Sequence, residues 1–211
     1  MKIFKLSVLT GAVLAAASFS QTAFGEVSAN IGVVSQYHFR GIQQTTGAST
    51  SAGLDYSEGG FYLGTWAADV ADGLEVDLYG GYGIELDNGL SLGVGATTYQ
   101  YTGDFDSAYN EVNLSAGFGM LSVAYSIGTQ DDDAGLEIAE ADYTFLSVTL
   151  EHNGFSATFG SWGDEFEGDY VEAGYGTEIG GFDVGVGVIF SGRDLDDDEA
   201  LYLSLSKSFD L

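Results

Sequence analysis

Neither cysteine nor proline occurs in the 211 residues. Lacking cysteine, the chain can form no disulfide and no thiolate metal site, although its N-terminus carries the marks of export. Lacking proline, it leaves every backbone N–H free to serve a strand ladder. Basic residues are scarce: five Lys and Arg stand against 32 Asp and Glu, a formal net charge of −27. Such a chain repels phosphate, which excludes nucleic acid as a partner. Long apolar runs are missing too, since nothing after Ala17 approaches the ~20 residues of a transmembrane helix.

The first residues have the pattern of a secretory signal. Lys2 and Lys5 precede the apolar run Leu6 to Ala17, and Ala23-Phe24-Gly25 offers small residues for a signal peptidase. Cleavage after Gly25 leaves one domain, 26–211, with a net charge of −29, because no acid precedes Glu26.

Glycine, at 32 residues, is about twice its usual ~7% share. Two-residue alternation runs from Val27 to the C-terminus. Leu201, Leu203, Leu205, Phe209 and Leu211 share one face of the last segment, while Ser204, Ser206, Ser208 and Asp210 share the other. Alternation and breakers together predict twelve strands, at 27–42, 49–56, 61–68, 74–86, 90–101, 109–118, 121–127, 141–152, 155–162, 169–179, 182–191 and 200–211. Every second connection is short, as at Asn153-Gly154 and Gly180-Gly181; the others are longer and mostly acidic. A soluble β-sandwich has no reason to place its short turns at every second position. The predicted fold is therefore all-β: an antiparallel up-and-down transmembrane barrel in a Gram-negative outer membrane. Short turns then face the periplasm and long acidic loops face outward.

Aromatic residues fall near both strand ends. Tyr56, Phe61, Phe118, Phe155, Phe182 and Phe209 lie near the short turns. Tyr37, Phe39, Tyr99, Tyr101, Tyr109, Trp162, Tyr170 and Phe190 lie near the long loops, and two interfacial girdles are expected. The 141–152 strand is apolar on both faces in turn, which predicts a bulge or register switch there. In 61–68, Trp66 falls on the inward face.

Four stretches, VVSQYHFRGIQQT (33–45), GGFYLGTWAADV (59–70), EVDLYGGYG (75–83) and LSLSKSFDL (203–211), resemble the TorF family of small proteobacterial outer-membrane proteins. The resemblance covers essentially the whole mature chain and implies an outer-membrane barrel acting as a porin-like channel. Barrels of this sort commonly end in an aromatic residue read by the barrel-assembly machinery, whereas Phe209 is followed here by Asp210-Leu211. Leu211 keeps the facial pattern, so assembly is expected.

Catalysis is not expected. His38 and His152 are the only groups that titrate near neutral pH, they fall at opposite ends of the barrel, and no nucleophile motif accompanies either. Nothing in the sequence calls for a cofactor. The candidate residues are instead those predicted to face the lumen: His38, Arg40, Asp55, Glu75, Asp77, Glu85, Glu111, Glu172 and Asp183. A charge facing lipid at mid-membrane costs roughly 2–4 kcal/mol for a base and less for an acid, so a wet lumen is the cheaper location. Lys207, on the lipid face, sits close enough to the terminus to snorkel.

Two readings follow. One is a pore for small cations or small neutral solutes. The other is a closed structural barrel in which Arg40 pairs with Glu75 or Asp77. Twelve strands lie between the ~8 that side chains fill and the ~16–18 that leave a wide aqueous channel. Of the 32 acids, 18 fall in or beside the long loops. Asp194, Asp196 and Asp198 open like a calcium loop, but Glu199 stands where that loop needs glycine and Leu205 where it needs an acid. Loose cation screening by Asp131, Asp132, Asp133, Asp194, Asp196, Asp197 and Asp198 is expected, without a specific metal site. Expected partners are membrane lipid, lipopolysaccharide, the assembly machinery and small solutes or cations; in the closed reading, the acidic loops meet divalent ions, lipopolysaccharide or another cell.

Overall fold

A computed structural model describes residues 25–195 and 197–211. The expected signal segment (but for Gly25) and the candidate Asp196 lie outside the described residues. The strands are β1 (Glu26–Val34), β2 (His38–Phe39), β3 (Ile42–Gln43), β4 (Ser49–Glu58), β5 (Phe61–Asp69), β6 (Leu74–Glu85) and β7 (Leu90–Tyr101). They continue as β8 (Tyr109–Phe118), β9 (Leu121–Gln130), β10 (Ala141–His152), β11 (Phe155–Asp164), β12 (Gly168–Ile179), β13 (Phe182–Ser191) and β14 (Glu199–Asp210). All but β2 and β3 form a closed barrel of neighbouring antiparallel pairs, sealed where β1 meets β14. Among the described residues there is no helix.

The turns follow the residues that make them. At Asn153–Gly154 both φ angles are positive, at 50° and 84°, as a two-residue hairpin between right-twisted strands requires. The outward faces carry Leu54, Leu63, Leu78, Val112, Ile127, Leu203 and similar exposed side chains, the surface a lipid phase would cover. The short-turn girdle is present: Tyr56, Phe61, Phe118, Phe155, Phe182 and Phe209 are all exposed. Lys207 reaches this band, its Nζ 4.8 Å from the centre of the Phe182 ring and 5.5 Å from that of Phe209.

Three expectations change. The predicted strand 27–42 stops at Val34, and the chain beyond it turns into the barrel as the β2–β3 hairpin. The second girdle does not exist as expected. Of its members Phe190 is exposed, whereas Tyr37, Tyr99, Trp162 and Tyr170 are buried and pack inside the barrel. Strand β10 has no bulge. Its pairing with β9 and β11 runs without interruption; Tyr143 and Phe145 face inward throughout, and Leu146 and Leu150 face outward. Both faces are apolar because the lumen at this level holds an aromatic core. Trp66 faces inward, as its alternation predicts, with its ring 5.8 Å from that of Tyr37.

Glycine and tyrosine abundance share one cause. Gly64, Gly128, Gly160 and Gly187 stand directly across the ladder from Tyr79, Tyr143, Tyr170 and Tyr202. In each pair the tyrosine ring lies where a Cβ on the glycine would project. The ring is thereby inlaid flat against the wall and takes little of the bore, while the hydroxyls of Tyr79, Tyr143 and Tyr202 are carried to carboxylates on other strands.

Candidate functional site in the barrel lumen

The site is built around the inward hairpin. β2 and β3 are joined by Arg40-Gly41, with φ of 48° and 90°. That geometry suits glycine and is unusual for arginine, so the residue at the tip is held there by its contacts. Tyr37 N donates to Thr45 Oγ1 at 3.0 Å, and Gln44 N donates to the Tyr37 carbonyl at 2.8 Å, closing the hairpin base.

Arg40 is 3% exposed and forms a fork with Glu111 on β8: Nη1 to Oε2 at 3.0 Å and Nη2 to Oε1 at 2.9 Å. Nη2 also donates to Ser126 Oγ on β9 at 3.3 Å. The guanidinium lies 4.3 Å from the centre of the Phe145 ring and 5.4 Å from that of Trp162. Trp162 Nε1 donates to the Arg40 carbonyl at 3.0 Å, and Ser191 Oγ donates to the Gly41 carbonyl. Phe39 meets Tyr99 at 5.4 Å, and His38 lies 6.3 Å from Tyr202. The hairpin thus touches the inner wall from β5 round to β14 and crosses the bore at the long-loop end.

Burial, the largest single influence, would lower the Arg40 pKa; the charge and hydrogen bonds of Glu111 together with the Tyr99 and Tyr143 hydroxyls outweigh it and hold the guanidinium above its ordinary value. For Tyr37, burial and then the Glu75 charge push the phenol well above its ordinary value. The hydroxyl therefore stays a donor, to Glu75 Oε1 at 2.6 Å.

The structure brings some sequence candidates together and separates others. Arg40, Glu75, Asp77 and Glu111 converge at the hairpin. Arg40 pairs with Glu111, correcting the expected partner Glu75 or Asp77; the fold-back of 35–47 aims the guanidinium across the bore, away from β6. Glu75 accepts from Tyr37 and Tyr101, and Glu111 from Tyr99 at 2.8 Å and Tyr143 at 3.0 Å. Deeper in the barrel, Asp55 accepts from Tyr79. Glu172 on β12 accepts from Tyr202, two strands along the wall on β14. Glu85 and Asp183 face inward near the short-turn mouth, opposite Ser91 and Ser206, and do not join the cluster. Glu151 faces inward on β10 and was missed because that strand looked ambiguous; its alternation with Tyr143 and Phe145 would have found it.

In the loops, Asp131 accepts from Asn110 at 3.3 Å. Asp133 Oδ1 accepts from Gly135 N at 2.7 Å and Leu136 N at 3.2 Å, and Asp198 Oδ1 from Glu199 N at 2.8 Å. These contacts order local turns. Among the described residues, no three His, Asp or Glu side chains are grouped to hold a metal ion.

A closed antiparallel barrel of twelve strands, apolar outside and acid-bearing within, is the architecture of outer-membrane barrels. The chain belongs to the Gcw_chp family, described as a bacterial protein of unknown function, whose model matches residues 19–165. None of the curated proteins matches the sequence. Among solved structures it is similar to one from work on the in-meso crystallization of membrane proteins, with a TM-score of 0.64 and 9% identity over 88% of this chain and 84% of that one. It is also similar to the KdgM porin, with a TM-score of 0.59 and 10% identity over 86% and 99% of the two chains. OpdK of Pseudomonas aeruginosa matches at a TM-score of 0.43 and 15% identity over 80% and 58%. At these identities the first two likenesses establish the fold.

Proposed function

We propose that this chain is an outer-membrane channel of porin type for small solutes, selective for cations and closed at its outer mouth by the hairpin of the first loop. The carrying observation is the division of the lumen. The hairpin occupies the long-loop half, whereas the short-turn half is lined largely by small inward residues such as Gly83, Ser91, Gly93, Ser115, Gly117, Gly176, Gly185, Ser204 and Ser206. A barrel built only as a scaffold gains stability by filling its interior, and small residues forgo that packing. Inward acids then outnumber Arg40, and a narrow low-dielectric bore screens them poorly, the Debye length being about 8 Å at physiological salt. Glu75 and Asp77, beside the hairpin, carry the selectivity in this reading.

The same reading has the chain exported by its signal segment, inserted by the barrel-assembly machinery and surrounded by lipid and lipopolysaccharide. Its outer loops screen cations loosely. The stretches at 33–45 and 59–70 support kinship with the TorF porins. A second reading, the closed structural barrel, is favoured by the reach of the hairpin across the bore. Single-channel recording of refolded protein in planar bilayers separates the two. The channel reading expects steps with a cation-selective reversal potential in a salt gradient, and selectivity reduced in the Glu75→Gln, Asp77→Asn double variant. Silence from both the unmodified protein and an Arg40→Ala variant establishes the closed barrel, and an anion-selective potential refutes the proposed selectivity.

A further inference from the structure

Four acids are buried in the lumen wall: Glu75, Asp77, Glu111 and Glu172. Three of them accept hydrogen bonds from tyrosine hydroxyls, and Glu111 holds Arg40 as well. Asp77 is the exception. It is 0% exposed, and neither carboxylate oxygen has a hydrogen-bond partner. Glu75 sits two residues away on the same inward face, so one guanidinium serves a neighbourhood of three carboxylates. A buried carboxylate with nothing to accept from is among the costliest arrangements a fold can hold. The position therefore suits a positive group that the chain does not itself supply.

The character of that group follows from the surroundings. The cross-strand neighbours of Asp77 are Trp66 on β5 and Tyr99 on β7. A chelated metal ion needs several converging ligands, and among the described residues no such group exists. One carboxylate flanked by aromatic rings instead matches an ammonium or guanidinium, which takes charge-assisted hydrogen bonds and ring faces together. Arg40 shows the same wall holding such a cation, with Glu111 as the acid and Phe145 as the ring.

We propose that Asp77 binds the amine or guanidine group of a small organic cation within the lumen, beside the hairpin. This names the solute class for the channel reading and rests on that reading for transport, though not for binding. Because Asp77 is covered, entry requires the hairpin to shift, and the Arg40 charge opposes the incoming cation.

The test uses the refolded full chain in detergent, titrated with guanidinium chloride and with methylammonium chloride at low concentration against sodium chloride of equal ionic strength. Trp66 and Trp162 are the two tryptophans, so a Trp162→Phe variant leaves Trp66 as the reporter beside Asp77. A saturable fluorescence change is expected, absent in Asp77→Asn, retained in Asp55→Asn, and with half-saturation lowered by at least about tenfold in Arg40→Ala, where both the opposing charge and the hold on the hairpin are lost. Infrared spectra of the unmodified protein, followed through the titration, give a second measurement, needed if the Asp77 variant fails to refold. In those spectra a cation at Asp77 leaves only carboxylate bands. No saturable response, the same response in Asp77→Asn, or a carboxylic-acid carbonyl band for Asp77 persisting through the titration overturns the proposal. Saturable binding in a barrel silent in bilayers sinks the channel reading alone; conduction without saturable binding sinks this proposal alone.

Discussion

Substituting Arg40 by alanine removes both arms of the fork on Glu111 and leaves that carboxylate buried beneath the hairpin with only its tyrosine donors. Breaking a buried pair by deleting one partner costs roughly 3–5 kcal/mol, because the surviving charge is stranded. Here the cost is relieved when the hairpin leaves the bore and water reaches Glu111, so it falls on the closed state and not on the barrel as a whole. At 1.4 kcal/mol per tenfold, the ratio of open to closed forms rises by roughly a hundredfold to a few thousandfold. In planar bilayers this appears as a large gain in open probability, while unfolding of the barrel in urea changes little. Arg40→Lys keeps the charge but loses the fork, and an intermediate gain is expected. Adding Glu111→Gln to Arg40→Ala removes the stranded charge and returns part of the closed population. An open probability unchanged in Arg40→Ala, with the barrel intact, refutes the view that this ion pair holds the plug.

Two further outcomes can be checked independently. Single cysteines at Asp132 or Asp197 should react with an impermeant thiol reagent on whole cells and one at Asn88 should not; the opposite pattern inverts the topology. Gly160→Val should lower stability by roughly 1–3 kcal/mol in urea unfolding, because the new side chain displaces the Tyr170 ring, whereas Gly47→Ala, whose added Cβ meets nothing, should be close to neutral. Equal effects at the two positions would mean that the inlaid rings add nothing.

The barrel wall was legible because its information is local. A period of two, read from Leu74 to Glu85 or from Phe182 to Phe190, gives the inward face directly, and Glu75, Asp77, Glu111 and Glu172 all lie where it puts them. The same period should have turned Tyr99 and Trp162 inward, since they share parity with Thr97 and Thr158. Alternation outweighs the interfacial preference of aromatic rings at these two positions, and both side chains are buried inside the barrel. The hairpin was hidden for another reason. Tyr37 and Phe39 continue the alternation of β1, so 27–42 reads as one strand, and the break rests on Arg40-Gly41, a turn signal weaker than Asn153-Gly154. The Arg40 partner could not be read at all, because a loop folded across a bore has no register with the strand that receives it.

The hairpin belongs to the connection between β1 and β4, and β1 is also half of the seam that closes the ring. That seam pairs Ser28 with Asp210 and Val34 with Ser204, positions near opposite ends of the described residues. Pairing so distant in sequence forms late. Before it forms, the nascent sheet is an open trough, and the hairpin can lie down in it against Glu111 and Trp162 as those strands arrive. Once β14 zips onto β1, a hairpin left outside has one way in, through a mouth crowded by acidic loops that draw Arg40 toward themselves. The order of assembly thus bears on whether a finished barrel is stoppered or vacant, and a cell that seals the seam early would make two populations from one sequence.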